Sequence, residues 1–112
     1  MADHAVHYRV KKTLSVVPEG TVVSYGQLAD LCGLPGRARM IGKCLREIKG
    51  QLNWHRVVRA DGKIAFPEGS EKAHEQRERL LEEGVIVRNY RIDMKAFGWK
   101  PELHTLLAEL EY

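Results

Sequence analysis

The stretch SYGQLADLCGLPGRARMIGKCLREI, residues 24–48, decides how the fold is read. Ser24 is suited to cap a helix over residues 25–32, because its hydroxyl can accept an amide of the first turn. Gly33-Leu34-Pro35-Gly36 then breaks the chain, since proline and paired glycines favour turns over a continued helix. A second helix is expected over about residues 37–48, burying Met40, Ile41, Cys44, Leu45 and Ile48 while carrying several Arg and Lys. A short helix, a glycine-containing turn and a basic helix make a helix-turn-helix.

Upstream, Val6, Val10 and Leu14 recur at four-residue spacing and predict a helix over about residues 3–16. Pro18-Glu19-Gly20 ends it, and Thr21-Val22-Val23 is a short extended piece. Downstream, residues 56–59 and 63–66 flank Asp61-Gly62, which predicts a β-hairpin there. Residues 71–83 read as a helix with Ala73, Gln76, Leu80 and Leu81 on one side and Gly84 as its stop. Residues 85–87 read as a further extended segment, residues 97–101 as an aromatic-anchored loop, and residues 103–110 as a small helix. The expectation is a single domain over residues 1–112, mainly α with a small β-hairpin, of winged helix-turn-helix type.

The 112 residues include no apolar run near the ~20 needed to span a bilayer, and the start of the chain lacks the apolar core of a signal peptide. The expected setting is intracellular: cytoplasmic, beside a bacterial nucleoid, or nuclear in a eukaryote. Two cysteines, Cys32 and Cys44, make no disulfide framework and read as small core residues. His4 and His7 have no cysteine pair at ligand spacing, so no metal site is expected. The net charge of +3 hides an asymmetry: residues 37–63 carry +6 and residues 68–112 carry −3. A central basic block beside an acidic remainder suits one face to a polyanion such as DNA.

Four segments in series resemble the C-terminal domain of the O6-alkylguanine-DNA alkyltransferases. Residues 17–29, VPEGTVVSYGQLA, look like that domain's start, and residues 33–42, GLPGRARMIG, resemble its DNA-binding helix-turn-helix. Residues 53–58, NWHRVV, stand where the enzymes carry Pro-Cys-His-Arg-Val, and Glu82-Glu83-Gly84 matches a later Glu-Gly element. The resemblance covers about residues 6–87. It departs from the enzymes around the reactive position. Trp54 replaces the reactive cysteine, Asn53 replaces the proline before it, and the Asn-Pro hinge expected between residues 47 and 53 is missing. The enzymes' separate N-terminal domain is not expected in a chain this short.

Alkyl transfer requires a thiolate to attack the carbon on guanine O6, and an indole offers one N–H donor and no such nucleophile. His55 and Glu83 remain from the family's activating network and are expected to hydrogen-bond each other. The pattern is similar to the alkyltransferase-like proteins. It implies non-enzymatic, minor-groove recognition of O6-alkylguanine in double-stranded DNA with base flipping, without a cofactor. Binding would mark the lesion for nucleotide excision repair proteins and block alkyltransferase access, with the protein acting as a monomer. By the same resemblance the lesion pocket comprises Tyr25, Trp54, Val57 and Pro67, under a lid over about residues 61–69. DNA contacts fall to Ser24, Tyr25, Gln27, Arg37, Ala38, Arg39, Gly42, Lys43 and Arg46, with Arg39 replacing the extruded base and Tyr25 promoting its rotation. The altered lid, Ala65-Phe66-Pro67-Glu68, implies a pocket that takes adducts larger than methyl. Two rival readings stay open: a helix-turn-helix transcription regulator, and an active alkyltransferase using Cys32 or Cys44.

Overall fold

The computed structural model describes residues 3–48 and 50–110. Lys49 of the basic block lies outside the described residues, as do Met1, Ala2, Glu111 and Tyr112 at the ends of the expected domain. Helix α1 (Asp3–Ser15) leads to a short strand β1 (Val23–Ser24), then α2 (Tyr25–Leu31) and α3 (Ala38–Glu47). A single 3₁₀ turn, Trp54–Arg56, runs into β2 (Val57–Val58) and is followed by α4 (Glu71–Glu82). The hairpin of β3 (Val87–Arg88) and β4 (Arg91–Ile92) precedes two small helices, α5 (Met94–Phe97) and α6 (Leu103–Glu109). The structure is mainly helical with small sheets, as expected.

Local chemistry sets the helix ends. Ser24 caps α2 by accepting the Gln27 amide at 3.0 Å, and Ser70 caps α4 by accepting the Ala73 amide at 3.2 Å. The helix-turn-helix forms as α2 and α3, each end falling within a residue of its expected place. Leu81 is a correction: it is 41% exposed, whereas Leu80 is fully buried. Ala73, Gln76 and Leu80 define the inner face of α4, and the next residue is rotated ~100° away from it.

The hairpin expected over residues 56–66 does not form. Asp61-Gly62 does make a tight turn, with the Gly62 amide donating to Arg59 O at 2.8 Å and the Arg59 amide to Lys63 O at 2.9 Å. The flanking residues then take other partners. Val57 and Val58 pair parallel with Val23 and Ser24. On the far side of the turn, the Ile64 amide donates to Tyr90 O and the Ile92 amide to Gly62 O, both at 2.9 Å. The antiparallel hairpin lies instead at β3–β4, where Val87 faces Ile92 and Arg88 faces Arg91. Its two turn residues, Asn89 and Tyr90, have φ of 51° and 59°, the left-handed conformation that a type I′ turn demands. Because the second of them is Tyr and not Gly, the sequence carries no hairpin signal there.

Parallel strands with both faces covered are apolar on both sides, and β1–β2 lies between two cores. Val23 and Val57 join one core with Val10, Leu14, Leu28, Ile41 and Cys44. Val22 and Val58 point the other way, into a core with Ile64, Leu80, Val85 and Ile92. The β1–β2 pair therefore joins the helix-turn-helix core to the α4 core.

Gly62 is where backbone crowding is greatest. Its φ is +88°, and a Cβ built on it would lie 2.0 Å from the Ile92 carbonyl oxygen. Gly62→Ala is expected to lower stability by about 2–4 kcal/mol, because the substitution meets both a left-handed φ and unyielding backbone. Thermal or urea unfolding checks this.

Candidate DNA-lesion site

Glu83, just beyond α4, gathers the motif that follows α3. Arg56 donates from Nε to Glu83 Oε1 at 3.0 Å and from Nη2 to Oε2 at 2.8 Å, a two-pronged pair. His55 Nε2 donates to Oε2 at 2.6 Å, and the Gly20 amide donates to Oε1 at 2.9 Å. The third arm of Arg56, Nη1, donates to Val17 O at 2.8 Å. Glu83 thus ties the turn after α1, the 3₁₀ turn and the end of α4 together. Gln76, 1% exposed, adds a second staple by donating from Nε2 to His55 O at 3.0 Å and Val57 O at 2.8 Å.

Burial opposes ionisation of Glu83, but Arg56, the Gly20 amide and His55 together hold its carboxyl down at about 2 against an ordinary 4.5. The expected His55–Glu83 bond is present. Arg56 and Gln76 were not expected to take part. Buried Arg and Gln beside an acid are the general signal of such a network, but sequence does not tell which charges are buried.

Beside this network lies a cavity of about 490 Å³, within the ~300–1,000 Å³ of small-molecule sites. Tyr25 opens one side from the first residue of α2, and Gly42, Leu45 and Arg46 of α3 form a wall. Trp54 also lines the cavity, with Ala65 and Phe66 of the expected lid and Lys72 of α4. Phe66 meets the Trp54 ring edge-on at 5.9 Å between centroids and 90° between planes, a favourable aromatic geometry. Lys72 Nζ lies 4.3 Å from the Trp54 ring centroid, and the Arg79 guanidinium carbon lies 5.4 Å from it. Burial raises the Tyr25 phenol's pKa, with Arg46 and Arg59 partly opposing, so the phenol stays neutral and can donate a hydrogen bond.

The structure brings Tyr25, Trp54, Gly42 and Arg46 to one cavity. Val57 and Pro67 are corrections. Val57 is 1% exposed, turned into the α1–α3 core by its pairing with Val23, and Pro67 lies exposed on the lid outside the cavity wall. Leu45 and Lys72 line the cavity without having been expected to, because separate elements converge there, and Phe66 reaches it from the expected lid.

Arg37, Arg39, Lys43 and Arg46 are exposed on and before α3. Arg39 and Lys43 border a groove against α1 that also holds His7 and Glu47, and Lys43 Nζ is 3.9 Å from Glu47. Ala38 and Gly42 are half-buried on the same helix. Ser24 and Gln27 have internal work: Ser24 caps α2, and Gln27 donates from Nε2 to Trp99 O at 2.9 Å. Neither cysteine meets the cavity; Cys32 is 0% and Cys44 4% exposed.

A family model described as the 6-O-methylguanine DNA methyltransferase DNA-binding domain matches residues 5–85. The chain belongs to that family. Within the methyltransferase-type family, the chain is 30% identical over 100 residues to Alkyltransferase-like protein 1 of Schizosaccharomyces pombe, covering 83% of this chain and 93% of that protein. It is 37% identical over 94 residues to the DNA base-flipping protein of Escherichia coli, covering 81% and 71% respectively. A solved structure of S. pombe Atl1 in complex with damaged DNA containing O6-carboxymethylguanine superposes with a TM-score of 0.80 at 28% identity, covering 88% of this chain and 97% of that one. Among the described residues, no helix is long and apolar enough to cross a membrane.

Because the folded pKa of Glu83 is depressed, its contribution to stability is full above pH 4.5 and is lost as pH falls towards about 2. Glu83→Gln is expected to remove about 2 kcal/mol at neutral pH and to flatten the acid limb between those values, measured by urea unfolding at stepped pH.

Proposed function

We propose that the chain is a non-enzymatic reader of O6-alkylguanine in double-stranded DNA. It rotates the modified nucleotide out of the stack and holds it in the cavity beside Trp54. The observation that carries this is the cavity itself, bounded by Tyr25, the basic helix α3 and an indole. An O6 substituent is hidden within the duplex, so reading it requires extrusion, which costs a few kcal/mol and least for a damaged pair. The half-buried small residues Ala38 and Gly42 let α3 approach the minor groove, while Arg39, exposed on its first turn, fills the space the base leaves. Tyr25 lines the cavity beside that helix and is placed to favour the rotation. Trp54 offers the extruded purine an aromatic contact worth about 1–3 kcal/mol.

The same geometry argues against alkyl transfer. The residue at the nucleophile's place is an indole, and both thiols lie in the core away from the cavity. Burial raises the Cys32 pKa, with the Thr13 hydrogen bond and Arg9 opposing and Cys44 adding to the rise, which leaves it a poor thiolate. The names of the S. pombe and E. coli relatives, and the complex of the former with O6-carboxymethylguanine DNA, support recognition without chemistry. The bound complex marks the lesion for nucleotide excision repair and shields it from alkyltransferases.

Competition binding with guanine and O6-methylguanine duplexes tests the reading. The wild type is expected to prefer the lesion. Arg39→Ala is expected to bind it at least about tenfold more weakly, since an unfilled stack disfavours extrusion. Equal affinity for the two duplexes would refute lesion reading. The intact protein is expected to show no covalent mass gain after incubation with the alkylated duplex, and a gain of one alkyl group would restore the enzymatic alternative.

A further inference from the structure

We propose that Lys72 biases the cavity toward O6 substituents that carry a negative charge. This rests on the lesion-reading function above and names the adduct class that the site favours.

Among the described residues, the cavity wall carries two cations, Lys72 and Arg46, and no carboxylate. Lys72 is placed there by α4. Its ammonium sits over the Trp54 ring at 4.3 Å from the centroid, and this attraction holds a flexible side chain against the cavity wall. Arg79, two turns further along the same helix, approaches the same ring at 5.4 Å. The nearest acid to either, Glu75, is 3.0 Å from Arg79 and 3.9 Å from Lys72, so the guanidinium has the tighter hold on it. An ammonium has three donors, and a cation–π contact uses its charge without exhausting them. Glu68 and Glu71, close by in sequence, do not line the cavity.

A purine rotated into this space brings its O6 substituent among Trp54, Phe66 and Lys72. A methyl or larger neutral alkyl group gains apolar contact with the rings and nothing from the ammonium. A carboxylate on the substituent gains a charge-assisted hydrogen bond as the nucleotide displaces water, which strengthens the attraction. Lys72 is 53% exposed before binding, so its own desolvation on pairing is partial. The adduct class that uses this arrangement is a short acidic arm on O6, of the carboxymethyl type.

The test compares three otherwise identical duplexes by competition binding to the full chain: O6-carboxymethylguanine, its neutral carboxamide of nearly the same shape, and unmodified guanine. The wild type is expected to prefer the carboxylate over the carboxamide by about three- to tenfold. Lys72→Gln is expected to reduce that ratio to about one, and Lys72→Arg to retain the ratio. Any phosphate contact by Lys72 cancels in the ratio, because the backbone is common to both duplexes. A ratio of one in the wild type, or a ratio unaltered by Lys72→Gln, overturns the proposal. If the wild type instead binds all three duplexes equally, lesion reading itself fails, and the charge preference falls with it.

Discussion

The buried pair between Arg56 and Glu83 is the contact on which the site's geometry depends. A carboxylate and a guanidinium withdrawn from water are costly, and each is tolerated only while the other stays bonded. Here the compensation is nearly complete: Glu83 accepts from Arg56, His55 and Gly20, and the remaining arm of Arg56 reaches the Val17 carbonyl. Removing one partner of such a pair is destabilising, because a charge is left buried alone. The network therefore acts less as a source of net stability than as a constraint on where residues 54–56 lie. In an alkyltransferase the same histidine and glutamate serve a thiol; beside an indole they retain a positioning role.

That constraint delivers Trp54 to the cavity. The 3₁₀ turn is pinned by Glu83 on one side and by Gln76 from α4 on the other, and β2 continues directly from it into pairing with β1. Trp54 is thereby fixed at its backbone while its ring remains at the wall, bordered by Phe66 and two cations. Since β1 leads into α2 through the Ser24 cap, the same strand pair also sets Tyr25 and the basic helix relative to the indole. The two functional halves, a cationic helix and an aromatic cavity, are coupled through a short strand pair whose Val23, Val57 and Val58 are buried in two cores.

The charge distribution follows the same division of labour. The basic surplus of residues 37–63 is carried largely by exposed side chains on and before α3, where phosphates can release counterions on contact. Arg56, from the same block, is instead buried and neutralised by Glu83. A basic block in sequence is thus partly an electrostatic surface and partly internal scaffolding, and only burial separates the two.

Elements whose signals are local were legible in the sequence. The helix cap at Ser24, the four-residue spacing along α1, the Gly-Leu-Pro-Gly break and the inner face of α3 each depend on neighbours within a few residues, and the structure keeps them. The motif around Trp54 was legible by resemblance, and with it the His55–Glu83 bond. Strand pairing was not. Val57 and Val58 satisfy a hairpin pattern and a parallel-strand pattern equally, and the choice fell to Val22–Ser24, more than thirty residues away. The same pairing turned Val57 into the core and out of the cavity. Whether Arg56 or Arg46 faces solvent, and that Lys72 rather than Pro67 borders the cavity, depended on long-range packing. Sequence sets the local conformational preferences and the chemical inventory; which donors, charges and rings finally meet is decided by burial, because only the assembled core removes the water that would otherwise satisfy each of them separately.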